Sequence, residues 1–504
     1  MQIYSAEQIR LWDQFTIEHE PVSSIDLMER AAGCCEDWLE RNDLLDRSFS
    51  IFCGKGNNGG DGLALARMLA ERECPVTVNI LEFGHLGTED FQVNLARLHN
   101  TGVEIRFIQQ EEHIRPIPEK DVVIDALFGS GLNRPLEGIT ALLIERINQS
   151  PNIVVSIDIP SGMYVDKSSR GNVMVKADYT LSFQCLKLAF LVPENAGYTG
   201  SLHVLDIGLD PGYPKEIKPT LSLTEMSHIH GIFKPRSPFA HKGNFGHALL
   251  VAGSRGKMGA AVMAARACLR SGTGLLTCQL PGCGEFVLQT CIPEAMLSNA
   301  EDENIITSIP DDLSAYTVTG IGPGIGTDPA TAKLLERLLK TLKKPMVLDA
   351  DALNILATHP RLLSLLPPYS ILTPHPKEFE RLFGTVSNDF ERVGLALTKA
   401  KEHHCIIVLK GHYTCIATPE GRGYFNSTGN AGMAKGGSGD ALTGIITGMV
   451  AQGYSPEEAA ILGVFLHGLA GDIAAEQFSE ESMLASDLIE CLGKAFQQIS
   501  RDQP

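Results

Sequence analysis

From residue 48 onward the chain alternates short apolar runs, bounded by Gly or Pro, with longer stretches of helical period. FSIFCG leads into DGLALARMLAER, PVTVNIL into TEDFQVNLARLHN, and VVIDALFG follows. Short runs of this kind read as buried strands and the amphipathic stretches as helices. A βαβα order commits a chain to a parallel sheet covered by helices on both faces, with ligands gathered in loops at the carboxyl ends of the strands. The rhythm persists through NIVVSIDIPSG and ends near SLHVLDIGL. Between Pro211 and Lys242 it stops, and 5 prolines fall in a stretch with no sustained period. A second series then opens with HALLVAGS and MGAAVMAARACLRSG and runs through LLTCQL, TVTGIGPG and PMVLDADALNIL. Its last third is helical by period and rich in small residues. The expectation is two α/β domains, residues 1–210 and 235–504, joined by a linker at 211–234, within the 504 residues.

Acidic side chains number 60 against 42 basic ones, a net charge of −18 that argues against nucleic acid as a partner. The first twenty residues carry charges throughout and do not read as a signal peptide. No run approaches the ~18 to 20 apolar residues of a membrane span. The 12 cysteines are scattered with no C-x-x-C pair, and they read as buried thiols in a reducing compartment. A cytoplasmic protein with no membrane partner is expected. Small-residue helices fit a subunit interface and core packing equally, and a homo-oligomer is the expectation.

In the first half, GKGNNGGDG (residues 54–62) lies directly between a strand and a helix. Consecutive glycines let backbone N–H groups face an anion, and the helix dipole favours negative charge, so a phosphate or pyrophosphate belongs here. The loop does not match a Walker A pattern, since no GK[ST] ends it. Asp125 ends VVID and Asp158 ends VVSID, so two carboxylates sit at strand ends beside that loop. Asn58, Asp125 and Ser161 together offer hard oxygen ligands of the kind a group I or II cation prefers.

GKGNNGGDG, DALFGSGLNRPLEG and SIDIPSG, in this order, resemble the YjeF N-terminal family, the NAD(P)H-hydrate epimerases. The resemblance covers residues 1 to about 210 and implies a Rossmann-like αβα sandwich. It implies that Asn57, Asn58, Gly59, Gly60 and Asp61, with Gly129, Ser130, Gly131, Leu132, Asn133, Arg134 and Pro135, hold the hydrated dinucleotide. Asp158 would stand at the reacting nicotinamide, and Asn58, Asp125 and Ser161 would coordinate potassium. Some relatives of this domain are scaffolds in messenger-RNA decay; the two aspartates here favour the enzyme.

In the second half, NAGMAKGGSGDALTG (residues 430–444) is a Gly-rich turn feeding a helix. Backbone N–H groups at Gly437, Ser438 and Gly439 can stabilise a transferring phosphoryl group, and the Asp440 carboxylate sits where a base could deprotonate a substrate hydroxyl. Asp349 and Asp351 in VLDADALN, and His375 and Glu378 in TPHPKEFE, put acid-rich strand ends nearby, as Mg-phosphate chemistry requires. VLKGHYTCIA (residues 408–417) reads as a β-hairpin that turns at Gly411.

These segments, with AGSRGKMGAA and GIGPGIG, resemble the ribokinase-like superfamily and, within it, the YjeF C-terminal family of ADP- or ATP-dependent NAD(P)H-hydrate dehydratases. The resemblance implies an αβα sandwich with a mainly parallel sheet. Ala261, Gly324, His375 and Asp440 would contact the hydrated dinucleotide, while Lys410, Gly411, His412, Tyr413, Thr414 and Gly439 would hold ADP with Mg2+. Together the halves imply repair of hydrated NADH and NADPH: epimerisation of the R and S hydrates at C6, then ADP-dependent dehydration of the S form with release of AMP and phosphate. Asp158 and Asp440 are the expected catalytic residues. Two alternatives stay open, a kinase for a small vitamin precursor and a non-catalytic scaffold.

Overall fold

The computed structural model describes residues 1–84, 86–299 and 301–501. The chain divides into two compact units, Met1–Pro219 with Asn388–Phe390, and Thr220–Ser387 with Glu391–Pro504.

The first unit is built on a sheet in the order Glu104–Ile108, Val76–Leu81, Phe49–Cys53, Val122–Ala126, Val154–Ile157, Tyr179–Phe183, Ser201–Leu205, with every neighbouring pair parallel. Alternate residues of each strand serve opposite layers. Phe49, Ile51 and Cys53 join a core with the helices Ser24–Arg41 and Asn57–Glu71, whereas Phe52 and Val123 join another with the helix Ile139–Gln149. Burial on both faces is what makes these strands read as unbroken apolar runs. The chain enters the sheet at Phe49–Cys53, builds outward, and returns to lay Val122–Ala126 on its other side. That reversal opens a crevice at the carboxyl ends of the two strands, where GKGNNGGDG and Asp125 lie.

The second unit repeats the logic on a larger sheet. Its order is Leu221–Thr224, Gly423–Asn426, Cys415–Ala417, Ile406–Leu409, Ile371–Leu372, Met346–Leu348, Val318–Ile321, His247–Val251, Leu275–Leu280, Met296–Asn299. Only Cys415–Ala417 runs against its neighbours, in the expected hairpin. The helices Met258–Arg270, Ser438–Ala451, Pro456–Phe478 and Ala485–Arg501 cover one face through a single apolar cluster. The small residues of the last third are spent in that cluster as core packing. Here the chain reverses between His247–Val251 and Val318–Ile321.

Three expectations are corrected. Residues 211–234 are not merely a linker, since they form the strand Leu221–Thr224, parallel to Gly423–Asn426, and the helix Met226–Ile232 with Ile229 and Ile232 in the core. The thiols are not uniformly buried, because Cys291 is exposed and Cys34 and Cys283 are partly so. One helix, Pro456–Phe478, is long and apolar enough to span a membrane by length and composition; 72% of its apolar window is buried within the unit.

Candidate active sites in two units

In the first unit the crevice is a cavity of about 1640 Å³, larger than the roughly 300–1,000 Å³ of an ordinary small-molecule pocket. The predicted Asn57, Asn58, Asp61 and Asp158 line it, as do all seven predicted residues from Gly129 to Pro135. The helix Asn57–Glu71 begins without a side-chain cap, so its first-turn N–H groups are open to an anion. Gly59 has no room for a side chain, since a Cβ there would lie 1.8 Å from the Gly54 carbonyl oxygen. Gly60 lies against Met28, at the back of the loop.

Asp158 sits just past its strand with φ +68°, a backbone conformation uncommon outside glycine. Its carboxylate accepts from the Ser130 amide at 2.9 Å and pairs at 2.9 Å with Lys187. Lys187 is fully buried, and its ammonium also donates to Ser182 Oγ at 2.7 Å. Burial alone would raise the Asp158 pKa, but the charge and hydrogen bond of Lys187, with the Ser130 amide, outweigh it and hold the group below the usual carboxylate range. The reverse holds for Asp61, which burial and the negative Asp158 push well up. Sequence reading missed Lys187, for a lone lysine in CLKLAF carries no signal of the carboxylate it meets 29 residues away.

Behind this carboxylate, Asp125 is completely buried. It accepts from Ser161 Oγ at 2.6 Å, Ser156 Oγ at 2.8 Å and the Ser161 amide at 2.9 Å. No lysine or arginine pairs with it among the described residues. Burial raises its pKa and the serine hydrogen bonds oppose that rise. The Ser161 hydroxyl also accepts from the Phe128 amide at 2.8 Å, and the Asn58 side chain lies against Gly129, so the 125–129 turn gathers all three predicted cation ligands. Among the described residues neither amide atom of Asn58 has a hydrogen-bond partner, although both are buried. A buried carboxylate without a counter-charge beside an unsatisfied amide oxygen is a hard-oxygen donor set that fits a cation.

In the second unit Gly437 takes φ +97° and starts the helix Ser438–Ala451 with no side-chain cap, again leaving N–H groups open. The Asp349 carboxylate, 1% exposed, bridges Lys410 Nζ at 3.0 Å and Thr443 Oγ1 at 2.7 Å. A Cβ on Gly439 would lie 3.4 Å from the Lys410 ammonium, which places that cation at the mouth of the glycine turn. Burial and then the negative Asp349 raise Asp440 to about 6, against the pull of Lys410. His467, also missed, donates from Nε2 to the Ser438 carbonyl at 3.0 Å; burial depresses it to about 4, so it is a neutral brace for the turn.

The remaining predicted residues fall differently. His375 caps the helix Pro376–Phe383, its Nδ1 accepting from the Lys377 amide at 3.2 Å while Glu378 closes a capping box. Burial lowers its pKa. Gly324 lies beside Lys257 and Ala260 at the start of the helix Met258–Arg270, and Ala261 in that helix has no exposed surface. In the hairpin turn the Gly411 amide donates to Thr414 Oγ1 at 3.3 Å, with His412 and Tyr413 edge to face at 4.5 Å between them.

Two α/β units, each with an uncapped glycine-rich helix start beside buried carboxylates, define a two-site enzyme for phosphorylated small molecules. Residues 24–189 match the family described as YjeF-related protein N-terminus, and residues 248–494 match NAD(P)H-hydrate dehydratase. The bifunctional NAD(P)H-hydrate repair enzyme Nnr of Moorella thermoacetica is 36% identical, covering 98% of this chain and 96% of that protein. A ribokinase-like superfamily protein from Enterococcus faecalis V583 is 29% identical, with TM-score 0.51 over 56% of this chain and 98% of that one. The ADP/ATP-dependent NAD(P)H-hydrate dehydratase of Bacillus subtilis, co-crystallised with ATP and Mg2+, is 30% identical, with TM-score 0.47 over 55% and 98%. The chain belongs to the family of bifunctional NAD(P)H-hydrate repair enzymes, an epimerase domain followed by a ribokinase-like dehydratase domain.

Proposed function

We propose that the first unit interconverts the R and S hydrates of NADH and NADPH at nicotinamide C6, and that the second dehydrates the S form with ADP. The observation that carries this reading is the pairing of two differently tuned carboxylates. Asp158 is kept ionised by Lys187 on a cavity wall, and Asp440 is raised toward neutrality beside an open glycine turn. An ionised group suits stabilisation of a cationic nicotinamide, and a base poised near 6 suits removal of a hydroxyl proton.

In the second unit Asp440 takes the proton from the C6 hydroxyl, whose oxygen attacks the terminal phosphoryl group of ADP and releases AMP. N–H groups at residues 437–439 and the Lys410 ammonium meet the charge that develops on that group. Phosphate then leaves C6 as the ring-nitrogen lone pair forms a double bond to it, and loss of a C5 proton restores the dihydropyridine. Lys410, Gly411, His412, Tyr413, Thr414 and Gly439 are assigned to the nucleotide; Gly324, His375 and Asp440 are assigned to the hydrate. Among the described residues no three acidic, histidine or cysteine side chains converge on one point. Mg2+ would enter with ADP and would offset the charge of its phosphates. In the first unit Asn58, Asp125 and Ser161 would hold potassium, which offsets the buried Asp125 charge and stiffens the turn that carries Gly129 and Ser130.

The test follows reduced-nicotinamide absorbance in a mixed R/S hydrate of NADH with ADP, with ATP, or with neither. Complete, rapid, nucleotide-dependent recovery is expected. A stall after the S fraction removes the epimerase, and no recovery with either nucleotide removes the whole reading. We also assign the chain to the cytoplasm as a homo-oligomer. Unbridged thiols support the first assignment, and the exposed Phe239 and Phe286 rings support the second. Light scattering on the purified chain tests the latter.

A further inference from the structure

The helix Ala6–His19 turns one stripe, Ala6, Ile9, Arg10, Asp13 and Ile17, to the first cavity. It is firmly seated. Ser5 and Gln8 form a capping box, and the indole N–H of Trp12 donates to the Asp210 carbonyl at 2.8 Å. The Trp12 ring stacks on Tyr213 with centroids 5.8 Å apart. Asp13 is thus held on the cavity wall, yet its carboxyl makes no hydrogen bond and no ion pair among the described residues. Asp125 and Asp158, the other carboxylates here with Asp61 apart, have hydrogen-bond partners.

We propose that Asp13 is the proton-transferring carboxyl of this cavity, acting on the C6 hydroxyl of the hydrated nicotinamide while Asp158 faces the ring. The proposal rests on the epimerase reading above. The charged and titratable groups around Asp13 are Asp158 and Lys187 from the loops after two strands, Asp61 from the glycine-rich helix, the Cys185 thiol, and Arg10 on its own helix. Burial, then the negative Asp158, pushes Asp13 up to about 7 despite Lys187. Two carboxyls with opposed environments put an acid and an anion on one cavity.

The step balances as follows. The Asp13 carboxyl gives its proton to the C6 oxygen, the C6–O bond breaks, and the ring-nitrogen lone pair forms a double bond to C6 as water departs. The Asp158 carboxylate faces the cationic ring. Water then adds to the other face of C6, the nitrogen recovers its lone pair, and the released proton returns to the Asp13 carboxylate. Hydride count is unchanged and one water leaves for each that enters. Asp61, 8% exposed and lining the same cavity from the glycine-rich helix, is the rival donor that the experiment sets against Asp13.

The experiment compares Asp13→Asn and Asp61→Asn in the full-length chain, with R-hydrate consumption measured from pH 5.5 to 8.5. Dehydration of pure S hydrate serves as the folding control on the same chain. For the wild type, the acid form is the active one, so the epimerisation rate is expected to fall as pH rises through about 7. Asp13→Asn is expected to lower kcat about 100-fold or more, leave KM within about threefold, flatten that limb and leave dehydration unchanged. Wild-type kcat in Asp13→Asn, or loss of the limb in Asp61→Asn alone, overturns the proposal. Absence of epimerisation in the wild type would instead overturn the reading on which it rests.

Discussion

At the scale of single residues, the same chemical group does different work according to what is packed beside it. Asp440 and Asp158 are both aspartates past a strand end or at a helix start. One is pushed up to about 6 by burial and Asp349, and the other is held down by Lys187 against burial. As a base Asp440 must be ionised, so dehydration of the S hydrate should rise as pH climbs through about 6 and level off above it. Asp440→Asn should remove that dependence and lower kcat at least about 100-fold, with R/S interconversion intact. Initial rates at saturating ADP check both. Strand-end aspartates were legible in the sequence because each terminates an apolar run. Lys187 and Asp13 were not, since a lysine or aspartate among mixed residues looks like any solvated side chain until the chain has folded.

Elements read well wherever the local pattern and the tertiary setting agree. The strands Phe49–Cys53 and Val122–Ala126 and the hairpin at Gly411 appear where the sequence implied them, whereas the helix after the first strand starts at Asn57, so NNGGDG forms its opening turns and the loop is only Gly54–Gly56. Leu221–Thr224 did not read as a strand because the alternation in TLSLT is short and stands in a proline-rich stretch; it becomes one by pairing with Gly423–Asn426. His375 read as a ligand candidate, and its most definite role here is as a helix cap, a local bond no composition reveals. The first turn of Asn57–Glu71 depends on backbone contact, with Gly59 pressed on the Gly54 carbonyl. Gly59→Ala should therefore displace the loop, cost about 1–3 kcal/mol and abolish epimerisation, although alanine favours a helix in isolation. Calorimetry of the first unit and the hydrate assay check this; an unchanged loop activity would refute it.

At the scale of the whole molecule, each site is made from residues of its own unit. Chains carrying Asp158→Asn and chains carrying Asp440→Asn should each stall on a mixed hydrate, and an equimolar mixture should recover it completely. A mixture that stalls would mean that the hydrate must pass between sites of one chain. The Asp158 and Lys187 pair has a thermal consequence as well. Removing one partner of a buried pair costs about 3–5 kcal/mol. Because the folded pKa of Asp158 is lowered, its contribution is complete above the ordinary carboxylate value near 4 and fades as pH falls through the folded value. Asp158→Asn should lower the first unit's melting temperature at pH 7, and a second change, Lys187→Met, should restore much of it without restoring activity. Seen as inheritance, the pair is a ratchet. A lineage that loses either residue by itself inherits a less stable protein, so replacing this pair takes two changes, each costly until the other is made.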